Sequence, residues 1–302
     1  MSISVPALTP GDTIGIMAPA SYVEREDIER SAALLETRGY QCFVHPQTFA
    51  RDHQSAGSHA ERAAAFHDLW AREDIKAIWS AGGGNRTLHM LEHIDFEMLK
   101  NTSPKLVIGF SDVTALLNAL YARLGVPSIH GPVFKNVHKH GEIDALFGLL
   151  ERGQTKLPLD EARIYSEGEA EGVLFGGNLS LFQYLPHTLP GRFWEGAILF
   201  LEDCNEELSR IDRMLMHLKR CGVLSSLSGL ILGEFSDMKE SGRPFGFTLE
   251  DIIQEHTKDL KIPVIQSQNF GHGDVFYPLP IGVNSTLSTT EKRLETKRFC
   301  AF

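Results

Sequence analysis

The chain has 302 residues, of which 42% are hydrophobic and 23% are charged. This composition excludes a fibrous or disordered protein and allows two domains, each with its own core. The formal net charge of −10 argues against a general surface for nucleic acid or anionic membranes, so we expect neither as a partner.

Strands and helices alternate through the first half of the chain. Apolar runs and helical spacing predict, in order, a strand at 13–17, a helix at 24–38, a strand at 41–44, a helix at 60–71, a strand at 75–80, a helix through 88 and 91, and a strand at 106–110. Because such alternation is typical of a parallel, doubly wound sheet, we predict an α/β fold. Ligands bind beyond the carboxyl ends of the strands in these sheets.

A polar stretch separates this half from the rest of the chain. After a predicted helix at 143–150, residues 151–171 are polar and are interrupted by Gly153, Pro158 and Gly168. We therefore place a first domain at 1–152, a linker at 153–171 and a second domain at 172–302. In the second domain we predict strands from 172 and at 197–201, 229–233 and 263–265, helices at 208–218 and 251–256, and short β structure from 285.

Ser111 lies where the predicted strand 106–110 passes into a helix. A serine on such a turn presents its hydroxyl at the edge of the sheet, and the N–H of Asp112 can stabilise developing negative charge. The hydrolase elbow Gly-x-Ser-x-Gly is only partly matched, because Val113 replaces the second glycine. Alternatively, Ser111 only caps the helix, since serine is a favoured N-cap residue.

Two glycine turns follow predicted strands. The first, at 82–85, does not match a dinucleotide loop because Thr87 occupies the last glycine position, and the chain has no Gly-Lys-Ser/Thr, so no nucleotide cofactor is indicated. Its glycines either allow a substrate to approach and offer an oxyanion donor, or form only a tight turn. The second ends at Asn178, which either hydrogen-bonds a substrate or belongs to the turn.

An acid and a base complete a possible catalytic set. The apolar strand 197–201 is expected to stop at Glu202 and Asp203, whose carboxylates must be solvated or paired. His272 lies between two glycines, in a turn where the backbone can approach another group. Ser111, Glu202 and His272 thus occur in the order nucleophile, acid, base of a Ser-His-acid triad, although a lone histidine is more often structural than catalytic.

Seven motifs occur in order along almost the whole chain. They are Pro10-Gly-Asp-Thr-Ile-Gly15 with Ala18-Pro-Ala-Ser21, Pro104-Lys105 through Gly109-Phe-Ser-Asp-Val-Thr114, His130-Gly-Pro132, Gly176-Gly-Asn-Leu179, Leu201-Glu-Asp203, Arg210-Ile-Asp-Arg-Met-Leu215 and Gly271-His-Gly273. Together they resemble the LD-carboxypeptidase family of serine peptidases, which includes the microcin C immunity hydrolases.

This resemblance implies roles for the residues above. Ser111 would be the nucleophile, His272 the general base and Glu202 its orienting carboxylate, and the N–H of Asp112 with one from Gly82 or Gly83 would form the oxyanion hole. It also implies a Rossmann-like parallel-sheet N-terminal domain, a smaller C-terminal β/α domain and a homodimer. No cofactor and no metal are expected.

The substrate is less sharply indicated. The family's peptidoglycan-recycling members remove the terminal D-alanine of a muramoyl tetrapeptide, and their glycine turn commonly begins with Arg, where this chain has Ala81. Asn85 and Arg86 follow the glycines, closer to the pattern of the microcin-type members. Arg86 either binds the substrate carboxylate or is a solvated residue at a helix start.

The segment from 111 to 178 bears on the choice between these substrates. It is short for the extra substrate loop of the microcin-type members, and it has no Trp to stack on an adenine. We therefore expect a murein tetrapeptide as substrate, with a peptidyl-adenylate as the alternative. A non-catalytic α/β ligand-binding module would share the alternating pattern without needing the triad residues to converge.

The cysteines and the apolar runs indicate the compartment. The cysteines at 42, 204, 221 and 300 form no Cys-x-x-Cys pair, so neither a zinc site nor a disulfide framework is indicated. The chain shows no basic leader and no apolar run of membrane-spanning length. We expect a cytoplasmic protein with reduced thiols.

Overall fold

The computed structural model describes residues 3–139, 142–240 and 242–301, which fold as two compact units. The first unit comprises the described residues of 1–154, 278–282 and 298–302, and the second comprises those of 155–277 and 283–297. Within the described ranges, no helix combines the length and the apolar character needed to cross a lipid bilayer.

The strands and helices have the following bounds. In chain order, the strands are β1 (Val5–Pro6), β2 (Thr13–Met17), β3 (Gln41–Val44), β4 (Ile75–Ser80), β5 (Leu106–Gly109), β6 (Ser128–His130), β7 (Lys156–Pro158), β8 (Arg163–Ser166), β9 (Glu169–Asn178), β10 (Ile198–Cys204), β11 (Gly229–Ser236), β12 (Val264–Gln266), β13 (Leu279–Ile281), β14 (Val283–Ser288), β15 (Arg293–Thr296) and β16 (Cys300–Ala301). The helices are α1 (Arg25–Thr37), α2 (His59–Ala71), α3 (Thr87–Leu91), α4 (Phe96–Lys100), α5 (Thr114–Leu124), α6 (Ile143–Arg152), α7 (Leu179–Phe182), α8 (Leu185–Thr188), α9 (Leu208–Arg220), α10 (Val223–Ser226) and α11 (Leu249–Thr257). Short 3₁₀ turns occupy Pro46–Phe49, Ser111–Val113 and Phe134–Lys139.

A parallel sheet forms the core of the first unit. Its strand order is β13-β6-β5-β4-β2-β3, and all pairs are parallel except β13 with β6. The central strands are largely buried, and β5 is buried at every residue, because helices cover both faces of such a sheet. The predicted α/β fold with parallel strands is confirmed, and β5 carries Ser111 just beyond its carboxyl end.

A larger mixed sheet forms the core of the second unit. Its strand order is β7-β15-β14-β9-β10-β11-β12-β8. The four central strands, β9 to β12, are parallel to one another, while the strands on both flanks are antiparallel. The carboxyl ends of β10 and β11 therefore lie side by side, and Glu202 and Glu234 occupy them.

Two features differ from the sequence-based expectation. The stretch 153–171, expected to be a linker, contains β7, β8 and the start of β9. The residues of β8 are partly exposed because it is an edge strand, so its apolar pattern is weak. The strand β13 was not predicted either, since Leu-Pro-Ile is short and contains a proline, which sheets accept at an edge.

Candidate functional site

Ser111 adopts a conformation that is unusual for its residue type. Phe110 before it is extended, with φ −154°, whereas Ser111 has φ +62°, in the left-handed region. A side chain there costs about 1–3 kcal/mol and persists only where the surroundings impose it. The helix α5 begins at Thr114 with Val113 at its N-cap position and no side-chain cap, so Ser111 is not the N-cap residue of α5.

The residue after Ser111 is anchored in the interior. The carboxylate of Asp112 is buried and accepts hydrogen bonds from the Thr87 backbone N–H at 2.8 Å and from its hydroxyl at 2.5 Å. Burial raises the pKa of Asp112, against the opposing effects of the Thr87 hydrogen bonds and the charge of Arg62. These contacts tie the turn at Ser111 to the start of α3.

The first glycine turn packs against Ser111. A Cβ added to Gly83 would lie 3.2 Å from the Cβ of Ser111 and 3.3 Å from the carbonyl oxygen of Phe110. Gly84 has φ +125°, and a Cβ there would lie 2.0 Å from the Oγ of Ser21. The structure therefore brings together two of the predicted features, the glycine turn and Ser111, and leaves little room for a side chain at Gly83 and none at Gly84.

Arg86 and its neighbours form a basic corner beyond the glycine turn. The exposed Arg86 has φ +80° and places its Nη2 3.0 Å from the Nε2 of His59, whose Nδ1 lies 2.8 Å from the Nη2 of Arg62. Burial and the two guanidinium charges lower the pKa of His59. A neutral imidazole accepts at one nitrogen only, so one of the two guanidiniums faces another N–H. The predicted Asn85 is exposed and donates to Gln54 at 3.4 Å.

In the second unit the structure brings Glu202 and His272 into contact. The Nδ1 of His272 lies 2.6 Å from Oε2 of Glu202, whose side chain is fully buried. The other oxygen, Oε1, is buried too and meets no donor among the described residues. The strand β10 includes Glu202 rather than stopping before it, because pairing with β9 continues there. The turn after β12 that carries His272 has Gly271 at φ +137°.

The surroundings of His272 favour its charged form. Burial lowers the pKa of the imidazole, but hydrogen bonds with Cys204 and Glu202 and the charges of both groups outweigh burial and raise the pKa to about 10. The carboxylate of Glu234 also faces this turn, since a Cβ on Gly273 would overlap it. Burial and the charge of Asp274 raise the pKa of Glu234, and His272 lowers it.

Asp203 has a different set of partners from Glu202. Its carboxylate accepts from Nδ2 of Asn178 at 2.9 Å and from the backbone N–H and hydroxyl of Ser180 at 2.9 and 2.8 Å. Burial and the neighbouring Glu202 raise the pKa of Asp203 to about 6. Asn178, which we expected to bind substrate, is only 4% exposed and directs its amide to Asp203. This contact supports the turn, and a contact between Asn178 and substrate stays a prediction.

Comparison with known proteins assigns the family. A model of the LD-carboxypeptidase N-terminal domain matches residues 14–131, and one of the LD-carboxypeptidase C-terminal domain matches residues 171–287. The chain belongs to the LD-carboxypeptidase family. This membership supports a hydrolase, and it agrees with the resemblance drawn from the seven motifs.

Relatives within the LD-carboxypeptidase family match nearly end to end. A probable murein peptide carboxypeptidase of Bacillus subtilis (strain 168) is 30% identical over 299 aligned positions, covering 95% of this chain and 92% of the relative. The microcin C7 self-immunity protein MccF of Escherichia coli is 27% identical over 343 positions, covering 96% of each chain. A crystal structure of the muramoyltetrapeptide carboxypeptidase from Oxalobacter formigenes superposes with a TM-score of 0.85 at 28% identity, covering 96% of this chain and 100% of the other.

Sequence reasoning missed two groups beside His272 in this LD-carboxypeptidase. Cys204 lies two residues beyond Glu202 on β10, so the period of a strand already places both side chains on one face. Glu234 follows Gly233 near the end of the adjacent strand β11, the same edge position that singled out Glu202. The missing information was that β10 and β11 are neighbours, which only the sheet order supplies.

Proposed function

We propose that this LD-carboxypeptidase family member is a serine hydrolase that uses Ser111, His272 and Glu202 as its catalytic triad. The contact of 2.6 Å between His272 and the buried Glu202 carries the proposal, because a buried carboxylate that holds Nδ1 orients the imidazole as the base of a triad requires. The left-handed turn at Ser111 provides independent support, since strained turns present nucleophiles in unrelated hydrolases.

The mechanism follows from acyl-transfer chemistry. Neutral His272 accepts the proton of the Ser111 hydroxyl as its oxygen attacks the amide carbonyl, and Glu202 stabilises the imidazolium that results. The oxyanion is held by the N–H of Asp112 together with one from Gly82 or Gly83. His272 then protonates the leaving amine. In deacylation, neutral His272 takes a proton from the attacking water and returns it to the Ser111 oxygen as the acyl bond breaks, which releases the acid and regenerates the enzyme.

The proposed substrate is a murein tetrapeptide that ends in D-alanine. The alignments with the Bacillus murein peptide carboxypeptidase and with MccF cover nearly the same share of this chain, 95% and 96%. The first is 299 positions long and the second is 343 positions long. MccF therefore has far more residues without a counterpart in this chain. The segment from 111 to 178 also lacks a tryptophan for stacking on an adenine. These two observations favour the peptide over an adenylate.

Arg86 is proposed to bind the terminal carboxylate of that peptide. Its guanidinium faces His59, which also contacts the guanidinium of Arg62. Because a neutral imidazole has only one acceptor nitrogen, one of these two contacts brings an N–H donor against another N–H donor. A carboxylate between Arg86 and the glycine turn replaces this unfavourable contact with a bidentate ion pair. Asn85, exposed on the same turn, is proposed as a second polar contact.

The second candidate is a peptidyl-adenylate hydrolase. It is favoured by the 96% mutual coverage of this chain and MccF, a microcin self-immunity protein. The triad would be unchanged, and only the group that leaves would differ. The homodimer and the cytoplasmic location stay predictions under either substrate.

The test is to incubate the purified protein in parallel with L-Ala-D-Glu-meso-diaminopimelate-D-Ala and with a control peptide of all-L configuration. Mass spectrometry then detects any released alanine. Wild type is expected to release D-alanine from the first peptide only, whereas Ser111→Ala is expected to lose at least about 10³-fold in kcat. Ser225→Ala, which removes an exposed serine hydroxyl elsewhere, is the matched control and should retain full activity.

Two results would count against the proposal. Release of D-alanine by Ser111→Ala at the wild-type rate would remove the nucleophile assignment. Cleavage of a peptidyl-adenylate analogue by wild type, with no release of D-alanine, would keep the triad and assign the second candidate instead.

A further inference from the structure

We propose that His187, His217 and Cys221 of the second unit form a binding site for Zn²⁺, separate from the groups proposed for catalysis. Each residue offers one ligand atom, and the three atoms lie within 4.8 Å of one another. None of the three belongs to the seven family motifs, and none is used by the proposed mechanism. The proposal therefore goes beyond the hydrolase function and does not depend on it.

The separations of the ligand atoms fit a tetrahedral ion. With Zn–N of about 2.1 Å and Zn–S of about 2.3 Å, a tetrahedral angle puts the nitrogen and the sulfur about 3.6 Å apart. The Sγ of Cys221 lies 3.6 Å from Nε2 of His217 and 2.9 Å from Nε2 of His187. The first separation already matches, and the second must open by about 0.7 Å to reach the tetrahedral value. Both imidazoles are exposed, so this adjustment meets little resistance.

The local structure explains why these side chains converge. His217 and Cys221 are four residues apart on α9 and its C-cap, and residues at this spacing share one face of a helix. His187 comes from the short helix α8, and its ring lies 5.5 Å from that of His217. The C-terminal end of a helix carries partial negative charge, which favours a bound cation at Cys221.

The donor set selects the kind of ion. Two imidazole nitrogens and one thiolate suit Zn²⁺ and related transition metals, whereas Mg²⁺ and Ca²⁺ need oxygen ligands. Binding converts the Cys221 thiol to a thiolate and releases its proton to solvent, and water completes the fourth position. The scattered cysteines gave no sign of this site in the sequence, because its ligands come from two helices rather than from a Cys-x-x-Cys pair.

A second histidine cluster in the protein is an alternative site for a metal ion. The rings of His89 and His93 lie 5.2 and 6.0 Å from the ring of His59 in the first unit, but the cluster has no thiol and is flanked by Arg62 and Arg86. Two guanidinium charges disfavour a cation there. Any metal bound by the protein must therefore be assigned between the two clusters.

The test is titration of the full chain with Zn²⁺ and with Co²⁺. We expect one tight equivalent and, with Co²⁺, a thiolate-to-metal charge-transfer band in the near ultraviolet. Cys221→Ser should abolish the band, and His187→Ala or His217→Ala should weaken binding at least about 10-fold. Cys42→Ser and His89→Ala are the matched controls and should bind as wild type does. A band that survives in Cys221→Ser, or binding that is lost only in His89→Ala, overturns the proposal.

A measurement on the wild-type protein keeps the proposal testable should a variant fail to fold. Stoichiometric Zn²⁺ is expected to slow alkylation of Cys221 by iodoacetamide at least about 10-fold, because a metal-bound thiolate is a poor nucleophile, while leaving Cys42 unaffected. Peptide mass spectrometry reads both residues in one sample. Equal alkylation of Cys221 with and without Zn²⁺ would refute the site.

Discussion

Ser111 is the residue at which backbone strain and proposed chemistry coincide. Its φ of +62° is one that L side chains avoid, and Asp112 and Thr87 hold the following backbone in place. Strained backbone of this kind clusters at functional positions. Glycine at 111 would remove it together with the nucleophile.

We therefore predict that Ser111→Gly is more stable than Ser111→Ala by about 1 kcal/mol, although both lack activity. Glycine adopts a positive φ at no steric cost, while the Cβ of alanine retains the strain of serine. Thermal unfolding of the two variants under identical conditions measures the difference. Equal melting temperatures would mean that the turn at Ser111 stores no strain.

His272 makes a prediction about pH. Its pKa, raised to about 10 by Cys204 and Glu202 against the effect of burial, means that the imidazolium dominates until the pH rises through that value. A general base must be neutral, so kcat/KM should climb with pH well above the ordinary histidine range near 6.5. Glu202→Gln removes the charge that raises the pKa, so its rising limb should move to lower pH while kcat falls about 10²–10⁴-fold.

Asp203→Asn is the matched control for that pH profile. It neutralises the adjacent carboxylate, which contacts Asn178 and Ser180 instead of His272. The rising limb of kcat/KM against pH should stay at the wild-type position in Asp203→Asn. The loss of the hydrogen bonds that the carboxylate accepts will lower the stability of this variant. A limb that moves in Asp203→Asn and stays in Glu202→Gln would reverse the assignment of the two acids.

At the residue scale, the sequence alone does not decide whether Glu202 or Asp203 contacts His272. Both carboxylates follow the same apolar run, so composition and spacing treat them alike, and only the resemblance favoured Glu202. Alternation along β10 puts them on opposite faces, and the sheet order decides which face meets the turn of His272. Arg62 was also invisible in the sequence, because nothing local indicates that an arginine is fully buried.

At the scale of elements, the glycine turn at 82–84 and the turn at Ser111 act as one structure. Gly83→Ala should lower kcat about 10-fold or more with little loss of stability, because the added Cβ presses on Ser111 and on the Phe110 carbonyl that precedes it. Gly131→Ala is the control, since its Cβ would meet Ile108 and Ile129 at a similar 3.3 Å without touching the turn. Steady-state kinetics and melting temperatures of both variants separate the two effects. Equal kcat values would show that the turn does not position Ser111.

Elements were predictable where burial is two-sided. The central strands β2 and β4 were predicted with the bounds that the structure shows, because central parallel strands are continuous apolar runs. The bounds of β3 were predicted too, although it is an edge strand, since Cys42, Phe43 and Val44 form an apolar run. Edge strands such as β8 and β13 were missed, since one side of each lacks a neighbour and their sequences mix polar residues or proline with apolar ones. Sequence reasoning thus located the core of each sheet, but at the edges it found only the strand with an apolar sequence, β3.

At the scale of the molecule, the chain returns to the first unit after building most of the second. Residues 278–282 add β13 antiparallel to β6, and the chain then leaves again to form β14. The chain thus passes between the two units several times, and the polar boundary near residue 152 signals only the first of these passages. The return to β13 depends on pairing between residues about 150 positions apart in sequence, and the last return depends on pairing between β16 and β1, from opposite ends of the chain. No local pattern encodes either pairing.

Gly282, at the last residue of this returning segment, offers a direct test of its importance. It has φ +82°, and a Cβ there would lie 2.0 Å from Cδ2 of Tyr121 on α5. Gly246 has the same φ of +82° and nothing within 4 Å of an added Cβ, so Gly246→Ala carries the backbone strain without the clash. We expect Gly246→Ala to cost about 1 kcal/mol and Gly282→Ala about 2–4 kcal/mol, because overpacking adds to the strain. Melting temperatures measure the difference, and equal losses would show that β13 and its junction tolerate displacement from the first unit.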